Sequence, residues 1–473
     1  MGRRVSFCYA ATVSPRRATR ASSWLRSQLL PMQPRSFSRC SARHRHSSST
    51  SPDSSPVRSQ QSSAFRQPSW IPSVLTLLQL LSPHKMYTHR LNAVSPFPGD
   101  AWRVPAHVEA GGAGRGQRET RDRGETMRTM LAAVLHDFDR LDLEQVPVPR
   151  AEAPGEVLVR IKACGICATD YKAIKGIRRN VTFPAIVGHE PSGIVEEIGP
   201  GVTHVSVGDA VIVQPLGHCG FCKRCRAGDT HYCERPFVTG GDGPGDVRPG
   251  AFAEYLLTTE SCLYPKPPGI SFDAAAVTEP LAGAWKGVIH HSQMQLGEDV
   301  VIIGVGGIGL LCLMVAKAAG AARLIAVDIS PHALENALRL GATHAVNPRE
   351  EDARRRVYEI IPEGPDLVVE AAGPIEAVRL MVELRRRGTR WNVFGITTHE
   401  TFELDGGQTH FLEGRMDASF GTTTLAMTKA IRLLETGLID TEQIISHRFP
   451  LSRIHEALEV MGTPEHNKII IHP

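Results

Sequence analysis

Val300-Val-Ile-Ile-Gly-Val-Gly-Gly-Ile-Gly309 passes from an apolar run directly into glycines spaced Gly-x-Gly-x-x-Gly. The run reads as a strand, and Leu310 to Ala319 reads as the helix that the glycines open. A second apolar strand, Arg323-Leu-Ile-Ala-Val327, follows and ends in Asp328. A lone Gly-x-Gly-x-x-Gly is weak. Between strand and helix, with an acid about 20 residues on, it is a dinucleotide-binding fingerprint. Gly304, Gly306, Gly307, Ile308 and Gly309 would let the backbone approach a pyrophosphate seated on the helix N-terminus. Asp328 would accept hydrogen bonds from the adenosine ribose and repel a 2′-phosphate. No Arg follows at 329–332 to receive one, which points to NAD rather than NADP.

Working outward from this unit, the texture changes near residue 284. From there on, apolar strands alternate with amphipathic helices, the pattern of a parallel α/β sheet. Before it lie short strands separated by Gly/Pro turns: Met130–Leu135, Asp142–Val146, Val157–Ala163, Ser192–Ile198 and Gly208–Val213. Such a rhythm predicts an all-β, barrel-like domain. The first 126 residues read differently. They hold 19 Lys+Arg against 6 Asp+Glu, and the totals of 53 and 49 leave 34 against 43 for residues 127–473. An Arg/Ser-rich, acid-poor segment without apolar periodicity predicts disorder. It fits a mitochondrial transit peptide, or an upstream extension with the working protein starting near Met127 or Met130. The run Ile71–Leu81 is too short to cross a bilayer. The remaining body is mildly acidic, which gives no support to a nucleic-acid partner.

Of ten cysteines, four stand at 219, 222, 225 and 233 within one Gly-rich loop. Four thiolates can close a tetrahedral shell around one zinc and leave no position for chemistry, so this set reads as a structural site. Cys164, Cys262 and Cys312 sit in apolar contexts and read as buried small hydrophobes. Cys167-Ala-Thr-Asp170 and Gly188-His-Glu190 offer a thiolate and an imidazole about twenty residues apart, a second metal-binding pattern that needs further ligands.

Gly165-Ile-Cys167-x-Thr-Asp170, Gly188-His-Glu190, the four-Cys loop and the strand-borne GVGGIG together resemble the zinc-dependent medium-chain alcohol and polyol dehydrogenases, across 130–473. The resemblance implies an α/β plus β fold. A GroES-like β-barrel catalytic domain would span 130–283, with a structural zinc lobe at 215–235. An inserted Rossmann doubly wound parallel sheet would span 284–420, and 421–473 would return to the catalytic domain. Residues 1–129 would form the disordered extension.

By the same resemblance, Cys167 and His189 are ligands of a catalytic zinc, and Cys219, Cys222, Cys225 and Cys233 hold the second zinc. Val277-Thr-Glu279-Pro280 resembles the Glu-Pro segment of polyol dehydrogenases. Glu279 and Glu190 therefore compete for the next position, and the resemblance leans slightly to Glu279. Asp170 would orient His189. Thr169 would take the substrate proton. Lys172 stands where many relatives carry a relay histidine, and is a proton relay, a ligand of substrate or cofactor oxygens, or merely solvated.

The expected activity is zinc-dependent oxidation of a secondary alcohol (polyol, sugar alcohol or amino alcohol) to a ketone, with hydride transfer to NAD. A simple alcohol dehydrogenase and a non-catalytic zinc- and nucleotide-binding homologue are the alternatives. The implied partner is a small alcohol, with no nucleic acid and no membrane, in a homodimer or homotetramer. The expected location is cytoplasmic, or mitochondrial if the N-terminus is a transit peptide.

Overall fold

The computed structural model describes residues 128–241, 245–397 and 401–473. The expected disorder of the N-terminal extension lies outside them. Thr129–Asp137 (β1) and Arg140–Pro147 (β2) form an antiparallel hairpin. Glu156–Ile166 (β3) then runs into the short helix Ala168–Ile174 (α1). Glu190–Ile198 (β4), Ala210–Val213 (β5), Tyr255–Thr259 (β6) and Leu263–Pro265 (β7) follow. The helix Thr278–Trp285 (α2) continues into a π-helical turn, Lys286–His291.

Next comes the α/β unit. Asp299–Ile303 (β8), Gly307–Ala318 (α3) and Arg323–Val327 (β9) are the fingerprint elements. His344–Val346 (β10), Leu367–Glu370 (β11), Arg390–Val393 (β12) and Arg415–Ala418 (β13) complete a six-stranded sheet. Its order, β10-β9-β8-β11-β12-β13, is parallel throughout. This is the doubly wound arrangement with its switch point between β8 and β11. Val300 and Ile302 pack into one apolar cluster, with Leu310 and Leu313, while Val301 and Ile303 pack into another, with Val357 and Val378. Both faces of β8 are covered, which is why its sequence is continuously apolar instead of alternating.

Thr424–Glu435 (α4) packs on α2, and Ala426, Met427 and Ala430 share the first cluster with β8 and α3. Ile445–Pro450 (β14) and Lys468–His472 (β15) then return to the first domain. There β15 pairs with β3, giving the order β7-β5-β4-β3-β15-β14, with β6 also on β3. The chain thus closes its β domain with its last strand, after the α/β unit has been inserted. Cys164, Cys262 and Cys312 are buried, and burial pushes each thiol's pKa up. No helix among the described residues is long and apolar enough to cross a membrane.

The glycine loop is held by steric exclusion. A Cβ on Gly309 would lie 1.8 Å from the Gly304 carbonyl oxygen, and Gly304 itself has φ +84° against the Ala372 backbone. Gly309→Ala should lower unfolding free energy by about 1–3 kcal/mol, the usual cost of overpacking. Gly406→Ala, where a Cβ would meet open space, should be neutral or slightly stabilising. Urea unfolding of the two variants checks this; equal midpoints would contradict the steric account.

Candidate metal centre and cofactor crevice

Strand β3 delivers Cys167 at its end, and α1 begins there. The third helical residue, Asp170, is 2% exposed and accepts three hydrogen bonds. The Cys167 N–H donates at 3.0 Å, the Gly188 N–H at 3.3 Å, and the His189 Nδ1 at 3.0 Å. This carboxylate therefore joins the two motif segments, 167–170 and 188–190. With Nδ1 engaged, Nε2 is the nitrogen left to face a metal. Thr169 Oγ1 lies 3.4 Å from that Nε2. Burial opposes protonation of His189, but the charge and hydrogen bond of Asp170 outweigh it and raise its pKa well above the usual value.

Ligand atoms of Cys167, His189 and Glu190 all lie within 4.8 Å of one another. One thiolate, one imidazole and one carboxylate are a fitting donor set for zinc with a fourth position open. Glu279 is not in that group. Consecutive positions 189 and 190 enter the site together because β4 starts there, whereas Glu279 sits on α2. It remains close enough to sense His189 and Glu190, and burial pushes its carboxyl up to about 7.

Glu190 is 1% exposed and pairs with Lys468, the first residue of β15. Lys468 Nζ also donates to the Ile166 carbonyl at 3.1 Å. Gly165, opposite Glu190 in the β3–β4 register, makes the room: a Cβ there would lie 2.1 Å from Glu190 Oε2. Sequence reasoning assigned Lys468 no role. The available signal was a lysine heading an apolar strand, Lys468-Ile-Ile-Ile471, which needs a buried acid as partner.

The four cysteines of the 219–233 loop also converge within 4.8 Å of one another. Backbone N–H groups donate to their sulfurs, from Cys219 and Arg235 to Cys233 and from Cys222 to Cys219. Such amides favour thiolates, and those of Cys225 and Glu234 pull the Cys222 thiol pKa down to about 6. A four-thiolate shell fits zinc closed to substrate.

Gly306 precedes α3, and a Cβ on it would meet open space. That gap, at a helix N-terminus without a side-chain cap, suits a pyrophosphate. Asp328 ends β9 and holds the loop: its carboxylate accepts from Val305 N at 2.8 Å and Ser330 N at 2.9 Å. Gly307 and Ile308 start α3, with Gly309 one residue on. Lys172, in the last turn of α1, lies within electrostatic reach of Glu370 at the end of β11. Glu370 pairs in register with Ile303, at the switch point between β8 and β11.

Two family models match the chain. Residues 153–268 match an alcohol dehydrogenase GroES-like domain, and residues 307–436 match a zinc-binding dehydrogenase domain. An L-threonine 3-dehydrogenase of Rhizobium etli is 32% identical over 352 residues, covering 73% of this chain and 99% of that protein. Among solved structures, an alcohol dehydrogenase from Thermus sp. ATN1 superposes with a TM-score of 0.69 at 31% identity, covering 72% of this chain and 99% of that one. A zinc-binding dehydrogenase from Sinorhizobium meliloti bound to NADP gives 0.68 at 29% identity, covering 73% and 100%.

Because Asp170 orients His189, Asp170→Asn should leave the fold intact and weaken metal retention at the Cys167 site by about 10- to 100-fold. Zinc competition with a chelator checks this; retention equal to the native protein's would contradict the orienting role.

Proposed function

The chain belongs to the zinc-dependent medium-chain alcohol and polyol dehydrogenases, and from that premise we propose that it oxidises a secondary alcohol to a ketone with NAD. Zinc-dependent, NAD(P)-linked oxidation of an alcohol is the activity of this family. The finer reading concerns substrate, cofactor and residue roles. The observation that carries it is the convergence of Cys167, His189 and Glu190 beside Thr169.

Bound by Cys167, His189 and Glu190, zinc supplies the Lewis acidity that eases loss of an alcohol proton, and the nicotinamide supplies the hydride acceptor. Asp170 keeps His189 in the tautomer that turns Nε2 inward. Thr169 would take the substrate proton as its hydroxyl gives up its own, and Lys172, three residues on along α1, would carry that proton outward only by accepting it as the neutral amine. Glu279, its carboxyl near neutrality, flanks the position left for substrate. Cys219, Cys222, Cys225 and Cys233 hold a second zinc per chain, which replaces the apolar core that their loop lacks. Gly304, Gly306, Gly307, Ile308 and Gly309 cradle the pyrophosphate, and Asp328 favours NAD over NADP.

The substrate class is a polyol, sugar alcohol or amino alcohol; the threonine dehydrogenase relatives support the last. The assembly is a homodimer or homotetramer, with β13, the edge of the Rossmann sheet, as the strand available for pairing between subunits. Metal analysis should give two zinc ions per chain. NADH production should be fastest with threonine or a vicinal diol such as sorbitol or 2,3-butanediol, slower with ethanol, and slower again with NADP as acceptor. Bound zinc without turnover of any of these alcohols would reject the dehydrogenase reading for this chain. Lys172→Ala should change the pH profile of turnover; a profile superimposable on the native enzyme's would remove Lys172 from the relay.

A further inference from the structure

We infer that Lys468 is a positioning residue for the metal: it holds Oε2 of Glu190, so that this carboxylate addresses the ion through one oxygen only. The inference rests on the metal reading above and goes beyond it, because it explains how the centre keeps a position open. A carboxylate with both oxygens free can chelate a cation bidentately and fill two positions. With Cys167 and His189 already in place, a bidentate Glu190 would close the fourth position that substrate requires.

The geometry argues that the restraint is built in. Glu190 is 1% exposed, and the Lys468 side chain is 7% exposed, so neither group has water as an alternative partner. Gly165 is the only residue type that fits above the pair, since a Cβ would lie 2.1 Å from Glu190 Oε2 and 2.8 Å from Lys468 Cε. The same ammonium donates to the Ile166 carbonyl, one residue before Cys167. One cation therefore fixes the backbone that carries the thiolate ligand and the carboxylate that stands beside it. The lysine arrives on β15, which hydrogen-bonds to β3 next to Gly165. The chain's last strand thus sets the geometry of a site whose ligands come from residues 167–190.

The test uses the full chain loaded with cobalt(II), whose visible absorption weakens when coordination rises from four to five. The Cys167→Ser difference spectrum isolates this centre from the four-cysteine site. Lys468→Met should weaken the difference bands and lower kcat/KM by about 10- to 100-fold, with thermal melting used to confirm folding. Lys468→Arg, which keeps a charged donor, should restore most of both. In a Glu190→Gln background, Lys468→Met should add no further spectral change, because its effect runs through Glu190.

Native-like bands in a folded Lys468→Met protein would overturn the inference, as would equal spectral changes in both backgrounds. If Lys468→Met alone does not fold, the Glu190→Gln protein and the double variant still decide: matching spectra support the inference and differing ones overturn it. A native protein with no cobalt band sensitive to Cys167→Ser would remove the metal reading itself, and is distinguishable from either result.

Discussion

The structure turns on burying a carboxylate and an ammonium against a strand without a side chain. Gly165 faces Glu190 across one edge of β3 and Ile470 across the other. Only that gap admits the Glu190–Lys468 pair, and a buried charge left alone would cost several kcal/mol. The pair ties three segments distant in sequence: the end of β3, the start of β4 and the C-terminal strand. Cys167 and Glu190, two of the three candidate metal-binding residues, flank this tie. Asp170 adds the finer adjustment, gathering the Cys167 amide, the Gly188 amide and the His189 ring on one buried carboxylate.

The second requirement is that two domains meet with a dinucleotide between them. The doubly wound sheet has its switch point at the carboxyl ends of β8 and β11. The junction is stiffened at Lys286, 1% exposed, whose ammonium donates to the Phe420 carbonyl at 2.6 Å and to Gly421 at 3.2 Å. These carbonyls lie just beyond β13, so the π-helical turn that follows α2 is anchored next to an edge strand of the six-stranded sheet. Burial lowers the Lys286 pKa to about 8, and the Glu279 charge acts in the other direction. Gly287 allows the close approach: a Cβ there would lie 2.9 Å from the Phe394 ring.

What the chain reveals unfolded and what it reveals only when folded divide along a physical line. The apolar run of β8, the glycine loop and Asp328 lie within about thirty residues, and each glycine is demanded by local sterics. The four cysteines close on one another within fifteen positions. These features are legible because local spacing determines their geometry. The return of the chain to its first domain was legible only through the family resemblance.

The choice between Glu190 and Glu279 was not legible, because both are acids near the site and their distances are set by where β4 and α2 pack. Lys468 and Lys286 were invisible for the same reason: each finds its partner across more than a hundred residues. By itself the sequence determined the two domains, both metal-binding patterns and the nucleotide loop, since local spacing and periodicity specify them. Tertiary structure alone brought Glu190 beside Cys167 and His189 and set Lys468 against Glu190, because those contacts exist only once β15 has paired with β3.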